Sequence, residues 1–341
     1  MAETYAQKNM GYFGIVKQTA INTGVASTHF ISVSEATLKP SLNREVLRAE
    51  VRNGLAPCAS TNGRVEIAGT LSGNLHPDEF AIMYAWLLGN NNAVAGSAAI
   101  GYTHTFNLAD STNLYSQFGA TIEVFLGGGG GATNNTLIDY LSCFIKKATF
   151  TIPQSGAITY SLDVIALKYE TVGTLSTPTY TCLPVFEGWM GKVKVGSAIG
   201  SVADVEVNGD ISVTIDMMID VVPSINGSQF NAGRTVGMPE VNVSFSAFLK
   251  DTLADWANLY LNDTIKALEV NIAHTLLAGS SSGVYSTRFL LPKVIFTEGV
   301  PTLSGDKNIE QPIAVTAVKD ATAGYMLRII DVNSQSGVYA V

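Results

Sequence analysis

Residues able to do chemistry are few in this chain, and their spacing does not suit them to it. The four histidines, His29, His76, His104 and His274, are isolated, with no H-x-x-x-H or H-E-x-x-H run to hold a metal. His104 lies in Tyr-Thr-His-Thr-Phe, a polar position of an alternating strand, which predicts a solvated or interface histidine. Cys58, Cys143 and Cys182 are odd in number and show no C-x-x-C spacing, so they read as free thiols packed as small apolar residues in a reducing cytosol. No G-x-S-x-G occurs. Asp216 and Asp220 share one strand face but stand about 13 Å apart at roughly 3.3 Å per residue. Glycosidase carboxylates sit closer, roughly 5–9.5 Å apart. Five consecutive glycines, Gly127–Gly131, invite a phosphate-loop reading, yet no G-K-[S/T] follows and no helix opens behind them. They read as a flexible hairpin or insertion. No catalytic, cofactor-binding or metal residue is assigned, and the chain is read as a non-enzyme.

Composition points to burial against other chains. Only 14% of the 341 residues are charged and 47% are hydrophobic, where an ordinary domain carries roughly 25% charge. So thin a polar coat suits a subunit whose surface is covered by its neighbours. The longest compact apolar run, Phe80–Gly89, is about half of the roughly 20 residues a spanning helix needs, so no membrane segment is expected. The first residues, Met-Ala-Glu-Thr-Tyr-Ala-Gln-Lys, have neither a basic nor an apolar region, so no signal peptide is expected. The net charge of −8 argues against a protein that grips nucleic acid. It is uneven: 10 Lys and Arg against 12 Asp and Glu through residue 184, then 10 against 16.

The elements that would position any site repeat along the chain. At an offset of 176, Val65 falls on Val241, Ile67 on Val243, Thr70 on Ser246, Phe80 on Trp256 and Tyr84 on Tyr260. At an offset of 177, Tyr12 falls on Trp189, Gly14 on Gly191, Val16 on Val193 and Lys17 on Lys194. Such self-similarity predicts a tandem duplication: a first domain over 1–170, a linker over 171–184 with two prolines, and a second domain over 185–341. Residues 1–10 read as a polar arm.

Each copy reads as mainly β with one short helix. Strands are expected at Phe30–Leu38, Glu45–Val51, Arg64–Leu71, Tyr102–Leu108, Ala120–Leu126, Leu141–Ile152 and Ala157–Tyr169. In the second copy they are expected at Ile211–Val222, Val241–Leu249, Ile265–His274, Thr287–Thr297, Ile309–Val318 and Tyr325–Val332. The first helix opens on Pro77, Asp78 and Glu79 and stops at Gly89, with Phe80, Met83, Trp86 and Leu87 facing the core. The second starts at Thr252 and packs Leu253, Trp256, Leu259 and Tyr260. Over Ile211–Val222, Ser212, Thr214, Asp216, Met218 and Asp220 face one way and Ile211, Val213, Ile215, Met217, Ile219 and Val221 the other, so that one side packs on a core and the other meets water.

With the repeat in view, the chain resembles the major tail tube proteins of long-tailed (siphovirus-type) bacteriophages. The resemblance is carried by Ile31–Leu38, then Gly63–Leu71, the helix ending Trp86-Leu87-Leu88-Gly89, Tyr102–Phe106 and Ile211–Val222. It implies β-sandwich-like domains with barrel-forming sheets that join across subunits, in a structural virion protein that self-assembles into stacked rings. The tube they form passes the tape-measure protein and later DNA, without binding DNA specifically, and it ends on tail terminator and baseplate proteins. Two copies per chain imply a trimeric, pseudo-hexameric ring, located in the virion tail and made in the host cytoplasm. Ser212, Thr214, Asp216 and Asp220 become candidates for lumen lining, and the loops at 40–62, 127–136 and 223–238 candidates for ring-to-ring contacts. The alternatives are a structural subunit of a phage head or baseplate, or a carbohydrate-binding β-sandwich adhesin.

Overall fold

A computed structural model describes residues 11–46, 60–89, 93–108, 119–126, 137–171, 176–248, 254–301, 309–337 and 339. The chain is mainly β. Its first part forms β1 (Tyr12–Lys17), β2 (His29–Phe30), β3 (Glu35–Ala36), β4 (Lys39–Val46) and β5 (Ser60–Asn74), then the helix α1 (Ala81–Leu88). β6 (Ala93–Ser97), β7 (Gly101–Leu108), β8 (Ala120–Phe125), β9 (Leu137–Ile152) and β10 (Thr159–Thr171) follow. The second part opens with β11 (Gly191–Gly196), β12 (Val202–Val205), β13 (Ile211–Asp216), β14 (Ile219–Val222), β15 (Gly233–Val236) and β16 (Glu240–Phe248). After the helix α2 (Ala254–Leu261) come β17 (Lys266–Leu277), β18 (Val284–Glu298), β19 (Glu310–Ala317) and β20 (Leu327–Asn333).

Both parts pair their strands in one order. The first runs β4–β5–β10–β9–β8–β1. The second runs β13–β16–β19–β18–β17–β11. Two antiparallel seams join them: β13 pairs with β9 from Ile211↔Ile152 to Asp216↔Lys147, and β20 pairs with β7 from Leu327↔Leu108 to Asn333↔Tyr102. The result is one 18-stranded sheet, with β14 and β15 apart as a hairpin. The cores merge as well. Phe150 of β9 and Phe289 of β18 lie 5.2 Å apart, and Tyr84 of α1 packs on both, at 5.9 and 6.2 Å between ring centroids.

The helix α1 is buried on every side, which its sequence Ala-Ile-Met-Tyr-Ala-Trp-Leu-Leu requires because no polar face exists. The sequence reading expected one buried stripe. Trp86 satisfies its indole N–H on the Cys143 carbonyl at 2.9 Å. Gly89 closes the helix in the left-handed conformation, with φ 71° and its N–H on the Ala85 carbonyl. The expected start is corrected. Asp78 and Glu79 precede the helix, so neither sits in its first turn. Asp78 accepts hydrogen bonds from Ser334 N, Ser334 Oγ and Tyr285 Oη, and Glu79 accepts one from Ser32 N. These carboxylates bind loops in place of a helix dipole. The second helix starts at Ala254, an offset of 173 from Ala81, so the two helices correspond about one turn away from the expected match. Trp256 packs on Phe245 and Phe296, at 5.7 and 5.9 Å. Tyr260, expected in the core, is 39% exposed. Thr252 and Leu253 lie outside the described residues.

Other strand expectations shift at their ends. Residues 30–38 hold only the two-residue strands β2 and β3, and the loop expected over 40–62 contains β4 and the start of β5. Gly69, mid-strand, is required by close backbone approach. A Cβ there would sit 2.4 Å from Leu38 N and Cα. We expect Gly69→Ala to lower unfolding free energy by about 1–3 kcal/mol, as overpacking does, measured by urea denaturation. An unchanged midpoint would show that β3 and its flanks can move aside.

Candidate assembly surface

β13 sits centrally between β9 and β16, and its alternation carries into its neighbours. Ile211, Val213 and Ile215 are buried, while Ser212, Thr214 and Asp216 are partly open to solvent. Residues opposite one another in a ladder point to the same face of a sheet. One register row therefore aligns Ser72 of β5, Ser161 of β10, Thr149 of β9, Thr214 of β13, Asn242 of β16 and Thr316 of β19. The Thr316 hydroxyl donates to Asn242 Oδ1 at 2.7 Å. The next row aligns Thr70, Asp163, Lys147, Asp216 and Glu240, and Thr70 donates to Asp163 at 3.0 Å. This face is polar across six strands and both halves of the chain, rich in hydroxyls and amides. Its charged row holds three carboxylates against one lysine. The reverse face is core: Leu71, Leu162, Phe150, Val213, Val243 and Val315 are all buried.

Sequence reasoning found Ser212, Thr214 and Asp216 of this face and missed the rest. The missing signal was the same alternation in Lys147–Ile152 and Thr159–Val164, legible only once pairing lines the strands up. Asp220 lies apart. Met218 takes a φ of 49° and donates its N–H to Asp216 Oδ1, breaking the expected continuous strand Ile211–Val222, and Asp220 continues on β14, 3.7 Å from Lys146 Nζ. At and along α1 the four expected core residues, Phe80 just before it and Met83, Trp86 and Leu87 on it, are buried.

The titratable groups with perturbed behaviour are elsewhere and structural. His104, expected to be solvated or at an interface, is fully buried where β20 pairs with its strand and the Tyr339 ring lies 4.9 Å away, and its Nε2 lies 2.9 Å from Asn333 Oδ1 and 2.8 Å from the Gln335 carbonyl. Burial lowers its pKa. Asp331 beside it is buried and accepts from Thr287 Oγ1 at 2.6 Å and Asn333 Nδ2 at 2.9 Å. Burial pushes its carboxyl up to about 6. Burial, with Glu123 and Glu170 nearby, raises Asp139 to about 7. Burial opposes ionisation of Glu123 as well, yet hydrogen bonds from Tyr12, Ser176 and Ser27 outweigh it and hold its carboxyl below the usual range. Cys143 is buried, whereas Cys182 is exposed because the segment after residue 176 crosses the surface. Cys58 and Gly127–Gly131 lie outside the described residues. Among the described residues no group of three or more His, Cys, Asp and Glu is placed to hold a metal ion, and no helix is long and apolar enough to cross a membrane.

An antiparallel sheet with a long polar face and an apolar reverse defines a mainly β protein packed on one side of its sheet. The comparison with protein families agrees: the model of the phage tail tube protein family matches residues 8–317, and the chain belongs to that family. Its members are structural proteins of the virion tail, not a class of enzymes, and membership implies self-association into a tube. A search of curated proteins returned no match.

Proposed function

We propose that this protein forms the tail tube of a long-tailed phage as stacked trimeric rings, each chain contributing two blocks of a pseudo-hexamer, and that the tube conducts DNA during ejection. The observation that carries this reading is the polar face shared by both halves, from Ser72 through Thr149 and Thr214 to Thr316. A tube needs such a face on its inside. In this reading the common pairing order reflects a tandem duplication, with blocks at 1–170 and 185–341 joined by 171–184, and the seam between β9 and β13 is one of six similar seams. Ser212, Thr214 and Asp216 line the lumen, and Asp220 lies on the adjoining hairpin. Hydroxyls and amides offer DNA no fixed cations, and the acidic row repels phosphate, so DNA slides without sticking. The tape-measure protein fills the lumen before ejection, and tail terminator and baseplate proteins close the ends. Exposed Ile225 and Met238, in the segment 223–238, support contacts between rings there.

Reversing the sign of the lumen tests this reading. Asp163→Lys with Asp216→Lys should leave tubes intact and slow DNA ejection, with the slowing greatest at low salt because new phosphate contacts are salt-sensitive. Ejection at the wild-type rate from intact tubes would move this face away from the DNA.

A further inference from the structure

The chain contains four Asn-Gly pairs, and the fold treats them unequally. Such a pair can modify itself, because glycine lacks the side chain that would keep its backbone nitrogen away from the asparagine amide. Asn53-Gly54 lies outside the described residues. Asn62 is held in the β4–β5 ladder opposite Arg44, with Gly63 pressed against the Asn43 carbonyl. Asn208 is locked by side chain and backbone alike. Its Nδ2 donates to Glu310 Oε1 and its Oδ1 accepts from Gln154 Nε2, both at 3.0 Å. Its N–H donates to the Ser246 carbonyl, and its own carbonyl accepts from the Ser246 hydroxyl.

Asn226 is placed differently. With Gly227 it stands at the exposed tip of the segment between β14 and β15, outside any strand. The ends of that tip are pinned to the first half of the chain. Arg64 Nη2 donates to the Ser224 carbonyl at 2.6 Å, and Val65 N donates to the Gln229 carbonyl at 3.0 Å. The tip itself is open: Gly227 takes a φ of 78°, and a Cβ added to it would meet nothing within 4 Å. Ser228 donates its N–H to Asn226 Oδ1 at 3.1 Å. That oxygen gains negative charge when a nucleophile adds to the amide carbon, and a donor already aimed at it lowers the barrier.

We propose that Asn226 and Gly227 form a self-modifying site, one that ages a waiting subunit and that assembly protects. The Gly227 backbone nitrogen attacks Asn226 Cγ. A C–N bond forms, the Cγ–Nδ2 bond breaks, and ammonia leaves carrying the proton of the glycine nitrogen. Water then opens the cyclic imide at either carbonyl, giving aspartate or isoaspartate at position 226. The sequence of steps consumes only water. Each product places a carboxylate beside Ile225, whose side chain is fully exposed, and a carboxylate resists the burial that a contact there requires. An aged chain therefore stacks poorly, whereas a chain already in a tube has this tip covered. The chemistry stands on the geometry of the tip alone, while the protection rests on the reading of segment 223–238 as a ring contact.

Peptide mapping by mass spectrometry tests it, on the purified full-length protein held in mildly alkaline buffer. In free subunits Asn226 should convert at least about tenfold faster than Asn208, which must first give up a hydrogen bond to a charged carboxylate. It should also outpace Asn62, and it should slow severalfold once the protein is in tubes. Asn226→Gln, whose longer side chain closes the ring poorly, should stay unmodified and still assemble. Asn226→Asp should keep the wild-type melting temperature and yield fewer tubes. Conversion of Asn208 or Asn62 as fast as that of Asn226 would overturn the site. Equal rates in free subunits and in tubes, or a full yield of tubes from Asn226→Asp, would overturn the protection and leave the tube reading standing. Wild-type protein that never assembles would overturn the tube reading, and the protection with it, but not the chemistry.

Discussion

Phe289→Ala should lower the unfolding free energy by about 3–5 kcal/mol, the usual loss for a buried phenylalanine. The side chain is fully buried on β18 and lies 5.2 Å from Phe150 and 6.2 Å from Tyr84, both contributed by the first half of the chain. Removing it opens a cavity where the two halves share a core. Those halves are also joined through the β13–β9 and β20–β7 ladders. Since a whole domain is stable by only about 5–15 kcal/mol, the loss is a large share of the total. Urea denaturation measures it. A change below about 1 kcal/mol would mean that neighbouring side chains refill the space and that the aromatic cluster does not couple the halves.

Asp331 should contribute a loss of stability as pH rises from about 4 to about 6. Asp331 has an ordinary pKa of 3.8 and a folded one of about 6, raised by burial. The folded state therefore binds the proton more tightly than the unfolded chain. Below 3.8 the group is protonated in both states and costs nothing. As pH rises the unfolded chain ionises first, and stability declines until the folded carboxyl ionises too, near 6. At about 1.36 kcal/mol per pKa unit the decline is of order 3 kcal/mol. Asp139, with a folded pKa of about 7, adds a decline of the same sign that extends higher. Asp331→Asn isolates the first part. The asparagine amide can donate to the Thr287 hydroxyl while its oxygen still accepts from Asn333 Nδ2, the arrangement that a protonated carboxyl would use. The variant should be the more stable protein at pH 7 and lose the share of the slope between 4 and 6 that Asp331 contributes. A variant less stable at pH 7, with the wild-type slope, would show that Asp331 is held as a carboxylate.

Much of this fold was legible in the sequence because burial on one side of a strand writes period-two alternation directly. Lys266–Leu277, Glu310–Ala317 and Leu327–Asn333 fall close to the strands expected from pattern, and Ser212, Thr214 and Asp216 share the solvent face expected of them. The repeat placed Val65 on Val241, and these residues lie on β5 and β16, which hold the same place in the pairing order. What pattern could not supply was long-range cover. Whether His104 in Tyr-Thr-His-Thr-Phe is solvated or at an interface is open locally, because nothing nearby reveals that a strand more than 200 residues later pairs with it, Asp331↔His104. Tyr260 looks like core at helical spacing, yet among the described residues it is 39% exposed. The break at Met218 is likewise invisible. Its positive φ comes from a backbone turn that Asp216 caps, and the alternation of residue types runs through it undisturbed. The polar face across β5, β10, β9, β13, β16 and β19 needed register as well as pattern, since each strand alone shows only a few hydroxyls.

Cryo-electron microscopy of tubes assembled from the purified protein tests the central claim most directly. The images should show a hollow tube of stacked rings, three chains and six similar blocks to each ring, with the face carrying Thr149, Thr214 and Asn242 turned to the lumen. Rings of six chains, or tubes with that face on the outside, would contradict it.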